Sequence, residues 1–397
     1  RDRHARPTRR APMRLTRDQL EVGPETLARR LEPGDPIQVL DVRAPARMVN
    51  GTVSPVPPDR YINIRGSELV GFGDPAEAGL DQDTDVVVVC GHGNDSLRVA
   101  AWLTVAGYEA KSLRGGINGW MHLSVPRTLP APPGFDHFIQ FDRLGKAALG
   151  YLLISGDEAI AVDVSLYFQP WLDEAARAGA RITAVADTHV HADYISGGPN
   201  LARSLGVPWY LHPADMVYPY DGTPGVIPFT SVGEGDEIQV GEGRLGVLHT
   251  PGHTEGSVTL LAGDRAAMTG DFLFVESVGR PDLAGRTEEW SEQLWASTHR
   301  ALTQWSGSWT VFPAHYAVER ERNPDRTVAA ELGELRESNE ALKLAADHER
   351  FVSWVIDNEA PAPDAYPKIK AINVGLITPS SSEADLLEAG RNECAIA

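Results

Sequence analysis

Side chains that bind metal ions are concentrated in the middle of this chain of 397 residues. Four separate segments supply them, and together they contain His189, His191, Asp193, His253, Asp271 and His315. Imidazole nitrogens and carboxylate oxygens are the usual ligands of zinc, iron and related ions. A single histidine is more often an ordinary hydrogen-bonded residue, but four such segments in one region, one of them spaced His-x-His-x-Asp, predict a metal site.

Each of these segments directly follows a short apolar run. The runs cover 182–186, 245–248, 266–268 and 310–312. An apolar run of this length, bounded by turn residues, predicts a buried strand. Because rigid strands fix the loops that follow them, the metal-binding side chains are expected to meet at one edge of a sheet. The region 135–330 is therefore expected to form paired sheets flanked by helices.

The order of the metal-binding motifs resembles the metallo-β-lactamase superfamily. The resemblance is carried by His189-x-His191-x-Asp193, Pro251-Gly252-His253-Thr254, Gly270-Asp271 and His315. It implies an αββα sandwich over 135–330, with the metal at one edge of two stacked sheets. One position departs from the pattern, because Tyr194 stands where the hydrolases of this superfamily have a further histidine that binds a second metal. A phenol with an ordinary pKa near 10 is a poor ligand at neutral pH, so a single metal is favoured.

A second motif indicates a branch of that superfamily. The stretch Gly279-Arg280-Pro281-Asp282 resembles the Gly-Arg-x-Asp segment of persulfide dioxygenases, which contain iron. The resemblance implies one Fe(II) per chain, bound as a 2-His-1-carboxylate triad by His189, His253 and Asp271.

The same resemblance assigns the remaining polar residues of the region. His191 and Asp193 are expected to be catalytic groups that orient ligands or bound water, and hydrogen bonding within the loop is the alternative. Arg280 is expected to contact the substrate, unless it forms only an ion pair with Asp282. His315 is expected close to the site without necessarily binding the metal.

A cysteine in the first third of the chain has the setting of a reactive sulfur. Cys90 lies between a predicted buried strand, 85–89, and a predicted helix, 96–106. Backbone N–H groups of such a loop and the start of the helix stabilise a thiolate or a persulfide. The loop residues expected to surround the bound sulfur are Gly91, His92, Gly93, Asn94, Asp95 and Ser96.

Motifs on both sides of this cysteine resemble a rhodanese domain. They are Leu40-Asp41-Val42-Arg43 and Arg114-Gly115-Gly116-Ile117-Asn118-Gly119-Trp120. The resemblance implies an α/β fold with parallel strands and sulfur transfer through a Cys90 persulfide. Asp95 stands where rhodaneses often have arginine, and its carboxylate opposes an anionic donor such as thiosulfate. A scaffold that transfers sulfur weakly is therefore left open.

The two resemblances together imply an enzyme of sulfur metabolism. It is expected to oxidise a low-molecular-weight persulfide, carried by glutathione or another thiol, with O2 to sulfite and free thiol. Its rhodanese domain is expected to link this reaction to thiosulfate and sulfite. Two alternatives are a zinc-dependent thioester hydrolase of the glyoxalase II type and a sulfur-binding module with decayed activity.

Composition divides the chain into five segments. They are a disordered basic tail (1–13), a rhodanese-like domain (14–128), a proline-rich linker (129–134), the metal-binding domain (135–330) and a C-terminal helical extension (331–397). The tail is inferred from the excess of arginine before and around Met13. The extension is expected to begin with one or two helices over 329–356 that end before Pro361, Pro363 and Pro367.

Charge and cysteine content exclude several classes of protein. A net charge of -19 argues against a nucleic-acid partner, because phosphate binding needs a basic surface. No apolar run reaches the roughly 18 residues of a membrane-spanning helix. Two cysteines cannot form a disulfide framework and fit a reducing cytoplasm. Cys394 is expected to be an idle thiol, and a thiol that receives sulfur near a helix-covered site is the alternative. The sequence leaves a homo-oligomer open.

Overall fold

The chain forms two compact units in the computed structural model. They are Arg1–Leu123 and Ser124–Ala397. The structure describes residues 15–396 apart from 70, 72, 73, 283 and 360. The predicted basic tail, 1–13, lies outside the described residues.

The first unit contains a parallel sheet with short helices between its strands. Its strands are β1 (Glu21–Val22), β2 (Gln38–Asp41), β3 (Tyr61–Asn63), β4 (Val86–Val89) and β5 (Ala110–Leu113). Its α-helices are α1 (Arg17–Leu20), α2 (Pro24–Leu31), α3 (Gly66–Leu69), α4 (Asn94–Val105) and α5 (Gly116–Met121). The strand order is β1-β5-β4-β2-β3, and every pairing between them is parallel.

The central strand of this sheet positions the cysteine loop. All four valines of β4 are buried, as expected for a strand covered on both faces. Cys90 follows directly, and α4 begins four residues later. The predicted strand–loop–helix arrangement around Cys90 is therefore confirmed, as is the α/β class of the unit.

The second unit contains most of the strands. In chain order they are β6 (Val125–Leu129), β7 (His137–Arg143), β8 (Ala148–Ser155), β9 (Glu158–Val162), β10 (Arg181–Ala186), β11 (Trp209–Leu211), β12 (Val217–Tyr218), β13 (Thr223–Pro224), β14 (Thr230–Ser231), β15 (Glu237–Val240), β16 (Gly243–His249), β17 (Val258–Ala262), β18 (Ala266–Gly270), β19 (Thr310–Pro313) and β20 (Ala330–Glu331). The helices are α6 (Gln169–Arg177), α7 (Gly198–Leu205), α8 (Thr287–Thr303), α9 (Leu332–Ser338), α10 (Glu340–Leu344), α11 (His348–Asp357), α12 (Tyr366–Asn373) and α13 (Ser381–Leu387).

Two sheets of the second unit pack face to face. One has the order β14-β11-β10-β9-β8-β7-β6 and the other β15-β16-β17-β18-β19-β20. Leu153 and Phe312 belong to the apolar cluster between them. On the outer side of the first sheet, Leu152 packs with Trp171 of α6, and on the outer side of the second, Leu294 of α8 is buried. The layers are therefore helix, sheet, sheet, helix, which confirms the expected αββα sandwich.

The proline-rich stretch after the first unit differs from the prediction. Residues 125–128, predicted to end the rhodanese-like domain, lie with Leu129 in β6, which pairs with β7 at the edge of the first sheet of the second unit. Proline has no N–H group to donate, and an edge strand needs donors on only one side, so Pro126 is tolerated there. The irregular stretch therefore covers 130–136, and the boundary between the two units lies before β6, between Leu123 and Ser124.

The C-terminal segment also differs from the prediction. Ala330–Glu331 forms β20 and completes the second sheet beside β19, so the sandwich continues past the predicted boundary at 330. The stretch predicted as one or two helices contains three, α9 to α11. Pro367 lies in the first turn of α12 rather than ending a helix. Proline is accepted in a first turn, because the N–H groups there have no partner within the helix.

Candidate metal centre and sulfur-binding loop

Four strand ends bring the predicted metal-binding residues together. The segments after β10, β16, β18 and β19 carry His189, His253, Asp271 and His315 respectively. The ligand-type atoms of His189, His253 and Asp271 all lie within 4.8 Å of one another. Nε2 of His189 is 3.5 Å and Nε2 of His253 is 3.4 Å from Oδ2 of Asp271. Atoms at this separation match neighbouring ligands that are each about 2.1 Å from one ion.

The polar atoms of this cluster are buried without hydrogen bonds. Within the part of the chain that the structure describes, Nε2 of His189, Nε2 of His253 and both carboxylate oxygens of Asp271 have no hydrogen-bond partner. The three side chains are at most 1% exposed. Buried polar atoms without partners are costly, typically about 1–3 kcal/mol each. Several of them facing one point indicate a cation as the missing partner, and the residues present fit a metal ion.

The other ring nitrogens of the two histidines are held by the protein. Nδ1 of His253 lies 3.0 Å from the carbonyl oxygen of Arg280, and Nδ1 of His189 lies 3.0 Å from the hydroxyl of Thr188. Donation from Nδ1 to that carbonyl leaves the lone pair on Nε2 of His253 for a metal. Burial lowers the pKa of His253 to about 3, and burial together with His191 lowers the pKa of His189 well below its usual value. Both rings are therefore neutral, as metal ligands must be.

A second group of polar residues lies beside the first. Nε2 of His315 is 3.5 Å from Oδ1 of Asp193 and 3.5 Å from Oδ1 of Asp271. Burial alone would lower the pKa of His315, but Asp271 and Asp193 raise it to about 9. Nδ1 of His315 lies 3.2 Å from the carbonyl oxygen of Ala147, which fixes the ring. The ring of His315 thus lies between the two carboxylates. The ligand-type atoms of His191, Asp193 and His315 also lie within 4.8 Å of one another.

The tyrosine that departs from the hydrolase pattern is directed toward a histidine. The hydroxyl of Tyr194 lies 2.8 Å from Nε2 of His191, and their rings are stacked with centroids 4.2 Å apart. Oδ1 of Asp163 lies 3.2 Å from the same nitrogen. Burial and Asp163 raise the pKa of Tyr194 far above its usual value, so the phenol stays neutral. The hydroxyl of Tyr194 and Nε2 of His191 therefore contact each other, and both contact Asp163.

Arg280 lies close to the cluster, and its side chain forms an ion pair. Its guanidinium pairs with Asp282 in two hydrogen bonds, of which the Nε bond is 2.6 Å long. The residue is only 5% exposed. Its backbone carbonyl accepts from His253, and its backbone N–H donates to the carbonyl of Cys394. The ion-pair alternative for Arg280 is thus present in the structure, and its backbone carbonyl contacts a predicted metal ligand.

The C-terminal segment places two residues at the metal centre, Asn373, which the sequence does not mark, and Cys394, which is expected to be idle. The thiol of Cys394 is fully buried and lies within 4.8 Å of the ligand-type atoms of Asp271 and His315. Burial, Asp193 and Asp271 raise the pKa of Cys394, so the thiol is neutral beside these groups. The amide of Asn373 donates to the carbonyl oxygens of His191 and Tyr194, at 2.9 and 2.8 Å. No local motif marks either residue, because each is far from the cluster along the chain.

The sulfur loop of the first unit surrounds its cysteine with donors. Cys90 is 6% exposed, and its Sγ accepts from the N–H of Gly93 at 3.1 Å. The hydroxyl of Ser96 lies 3.2 Å from the same sulfur and 2.8 Å from the hydroxyl of Ser112. A Cβ on Gly116 would come within 2.3 Å of the Cys90 carbonyl oxygen, so only glycine allows this approach.

The remaining predicted residues of the loop are more exposed. Gly91 is half-buried, whereas His92, Asn94 and Asp95 are exposed. Asp95 lies in the first turn of α4, where a carboxylate is favourable for the helix. The structure shows no direct bond between Asp95 and the sulfur among the contacts of the described residues. The loop therefore presents its charged side chain to solvent and its hydroxyl and amide donors to Cys90.

Comparison with known proteins matches each unit to a family. The model of the metallo-beta-lactamase superfamily matches residues 148–328, and that of the rhodanese-like domain matches residues 23–123. An uncharacterized protein of Aquifex aeolicus (strain VF5) is 33% identical over 161 residues, which are 36% of this chain and 75% of that protein. The mitochondrial persulfide dioxygenase of Bos taurus is 32% identical over 170 residues, which are 38% of this chain. The match spans 60% of the length of that dioxygenase.

A solved structure supports the same assignment of the fold. A metallo-beta-lactamase from Staphylococcus aureus subsp. aureus COL is similar with a TM-score of 0.53 and 27% sequence identity. The similarity covers 62% of this chain and 74% of that protein. No helix of the described residues is long and apolar enough to cross a bilayer.

Proposed function

Because the chain belongs to the metallo-beta-lactamase superfamily and carries an N-terminal rhodanese-like domain, we propose that it is an iron-dependent persulfide dioxygenase with a sulfurtransferase domain. The proposed reaction converts a persulfide, O2 and water into a thiol, sulfite and two protons. The observation that carries the proposal is the set of two imidazoles and one carboxylate with buried, unpartnered ligand atoms. The similarity to persulfide dioxygenases supports it.

The residues that hold the metal in this proposal are His189, His253 and Asp271. These two histidines and one carboxylate would hold a ferrous ion, which would supply the chemistry that activates O2. Burial of all three side chains keeps bulk water away from the reaction. The carbonyl oxygen of Arg280 holds the ring of His253 in place.

The groups beside the triad orient the substrate in this proposal. His315 and Asp193 lie beside the cluster, and among the described residues neither Nε2 of His315 nor either carboxylate oxygen of Asp193 has a hydrogen-bond partner. His191 is held by Tyr194 and Asp163, so its part is to fix the loop that carries His189 and Asp193. The persulfide and O2 are then held close together in one enclosed site, so their reaction no longer depends on a collision in solution.

The first unit supplies sulfur transfer in this proposal. The Cys90 thiolate attacks the outer sulfur of thiosulfate, forms a Cys90 persulfide and releases sulfite. The N–H of Gly93 and the hydroxyl of Ser96 stabilise the negative sulfur. Both cysteines are free thiols, which fits the cytoplasmic location that we propose.

A zinc-dependent thioester hydrolase is the second candidate. The observation in its favour is the second group of ligand-type atoms, on His191, Asp193 and His315, beside the first. The observation against it is Tyr194, which bonds to His191 instead of supplying another metal ligand. One metal per chain is therefore the favoured count.

An oxygen-electrode assay separates the two candidates. The iron-loaded protein with glutathione persulfide is expected to consume O2 and release sulfite in equal amounts. The zinc-loaded protein with a glutathione thioester is the control and is expected to show no hydrolysis above the metal-free level. Thioester hydrolysis without persulfide-dependent O2 uptake would reject the dioxygenase.

A further inference from the structure

A segment near the C-terminus lies against the proposed metal centre. We call this segment, 391–396, the C-terminal strap. It follows α13 and lies outside the helices and strands, and an isolated bridge pairs Ala395 with Gly279. Beside this bridge, the thiol of Cys394 lies within 4.8 Å of the ligand-type atoms of Asp271 and His315. The strap therefore places a sulfur atom next to a proposed metal ligand.

The polar atoms near this sulfur are buried and lack hydrogen bonds. Among the described residues, Nε2 of His315 and both carboxylate oxygens of Asp193 and of Asp271 have no hydrogen-bond partner. None of these three side chains is more than 1% exposed, and Cys394 is fully buried beside them. Buried polar atoms without partners indicate a place where a ligand binds. A sulfur that binds among these side chains competes for space with Sγ of Cys394.

A cavity of about 760 Å³ lies along the strap. Ala395 and Ile396 form part of its wall, and His315 reaches it from the metal centre. Successive residues of an extended segment point to opposite sides, so the strap directs Cys394 toward the metal centre and Ala395 toward the cavity. A cavity of this size holds the body of a small thiol carrier. The strap thus forms part of the wall between this cavity and the buried polar atoms.

The strap is held in place by individual contacts. The side-chain amide of Asn392 donates to the carbonyl oxygens of Lys146 and Ala147, both at 3.1 Å. The carbonyl oxygen of Cys394 accepts from the N–H of Arg280 at 2.9 Å. The thiol packs in a small apolar cluster with Ala192, Phe274, Tyr366 and Ala395. A segment with few buried apolar contacts opens locally at a lower cost than the core of a sheet.

We propose that the C-terminal strap is a gate of the metal centre, and that the space filled by Sγ of Cys394 is the binding position of the persulfide sulfur. In the closed form Cys394 occupies this position, so the strap must open before the sulfur of a carrier binds. The proposal rests on the proposed persulfide oxidation and adds to it the position of the substrate sulfur and a step that controls its entry. Because only the open form binds substrate, the apparent affinity falls in proportion to the fraction that is open.

Alkylation of Cys394 measures the opening of the strap directly. The chain has two cysteines, so Cys90→Ser leaves Cys394 as the reporter, and iodoacetamide reaches this buried thiol when the strap opens. In the metal-free full chain with this background, Asn392→Ala should speed alkylation about tenfold, because the closed form loses two hydrogen bonds. An unchanged rate would overturn the gate.

A second asparagine provides the matched control. The side-chain amide of Asn323 also donates to two oxygens of the second unit, those of Thr327 and Ala329, and none of these residues belongs to the strap. Asn323→Ala in the same background should therefore leave the alkylation rate of Cys394 within about twofold. If both asparagine variants speed alkylation equally, a general loosening of the second unit exposes the thiol, and the gate is rejected.

Steady-state kinetics on the iron-loaded full chain test whether the two sulfur positions coincide. Cys394→Ala vacates the position and should lower KM for glutathione persulfide severalfold. Asn392→Ala should also lower KM while it changes kcat by less than about twofold, since it acts on opening alone. An unchanged or higher KM in Cys394→Ala would contradict the shared position. No O2 uptake by any of these proteins, the unsubstituted chain included, would reject the proposed function, whereas the alkylation rates test the gate without metal or turnover.

Discussion

At the scale of single residues, the sulfur of Cys90 is contacted by a backbone N–H group and a hydroxyl group. The N–H of Gly93 and the hydroxyl of Ser96 lie 3.1 and 3.2 Å from Sγ. The hydroxyl of Ser112 lies 2.8 Å from that of Ser96 and can donate to it while Ser96 donates to the sulfur. Hydroxyl groups rotate, so these two can turn their hydrogen atoms toward the sulfur when it is negatively charged.

Removing the nearer hydroxyl should make Cys90 less reactive. A hydrogen bond to a charged group contributes about 1.5–3 kcal/mol, so Ser96→Ala should slow alkylation of Cys90 by iodoacetamide at neutral pH about tenfold. Ser112→Ala should slow it less, because the nearer hydroxyl remains. Thr104→Val is the control, since that hydroxyl lies in the same helix and donates to the carbonyl of Ala100. If Ser96→Ala and Thr104→Val react at equal rates, the hydroxyl of Ser96 does not support the thiolate.

At the scale of elements, the C-terminal helix α12 holds the loop that carries the metal-binding motif. The side chain of Asn373 at its end donates to the carbonyls of His191 and Tyr194 and accepts from the N–H of Ser196 at 2.9 Å. Lys370 of the same helix donates to the carbonyl of Val190 at 2.8 Å. The loop after β10 is therefore fixed from outside by a segment that follows it by more than a hundred residues.

Loss of this anchor should destabilise the second unit and loosen its metal. Asn373→Ala leaves three buried backbone groups without partners, so we expect a loss of about 3 kcal/mol in the free energy of unfolding. Asn358→Ala is the matched control, because among the described residues that amide donates to one carbonyl, that of Trp354 in α11. Urea unfolding and metal retention after dialysis against a chelator measure both effects. Equal behaviour of the two variants would contradict an anchoring role for Asn373.

The sequence predicts those features of the fold and the site whose residues lie close together along the chain. The strands before His189 and Cys90 are short apolar runs, and the motifs follow them within a few residues, so strand ends and candidate ligands could be placed together. Asn373 and Cys394 reach the site through tertiary packing alone, and no spacing marks them. The prediction that the first domain extends to 128 was wrong because Pro126 was not expected within a strand. An edge strand accepts a proline that a central strand would exclude.

At the scale of the whole molecule, the two sites belong to separate units with their own cores. Cys90 packs with the apolar cluster of the first unit, and the strands that carry the metal-binding loops enclose the cluster between the two sheets of the second. The two proposed reactions share sulfite and sulfane sulfur as chemical species. Cys90 and its loop belong to the first unit, and the proposed metal-binding residues belong to the second.

Substitution of the cysteine should therefore separate the two activities. Cys90→Ser is expected to abolish sulfur transfer from thiosulfate but to leave O2 uptake with an added persulfide within about twofold of the unsubstituted protein, since the metal-binding residues are untouched. The measurement compares both activities on the same preparation. Loss of O2 uptake in this variant would show that oxidation requires sulfur carried by Cys90.

The metal content of the active protein tests the central claim most directly. After loading with Fe(II) without oxygen and removal of excess metal, we predict about one iron ion per chain, bound by His189, His253 and Asp271, and O2 uptake in proportion to it. Asp271→Ala should lose both iron and activity, while Asp157→Ala, a control at an exposed carboxylate, should keep both. About two zinc ions per chain in the active form, with thioester hydrolysis and no iron-dependent O2 uptake, would contradict the account.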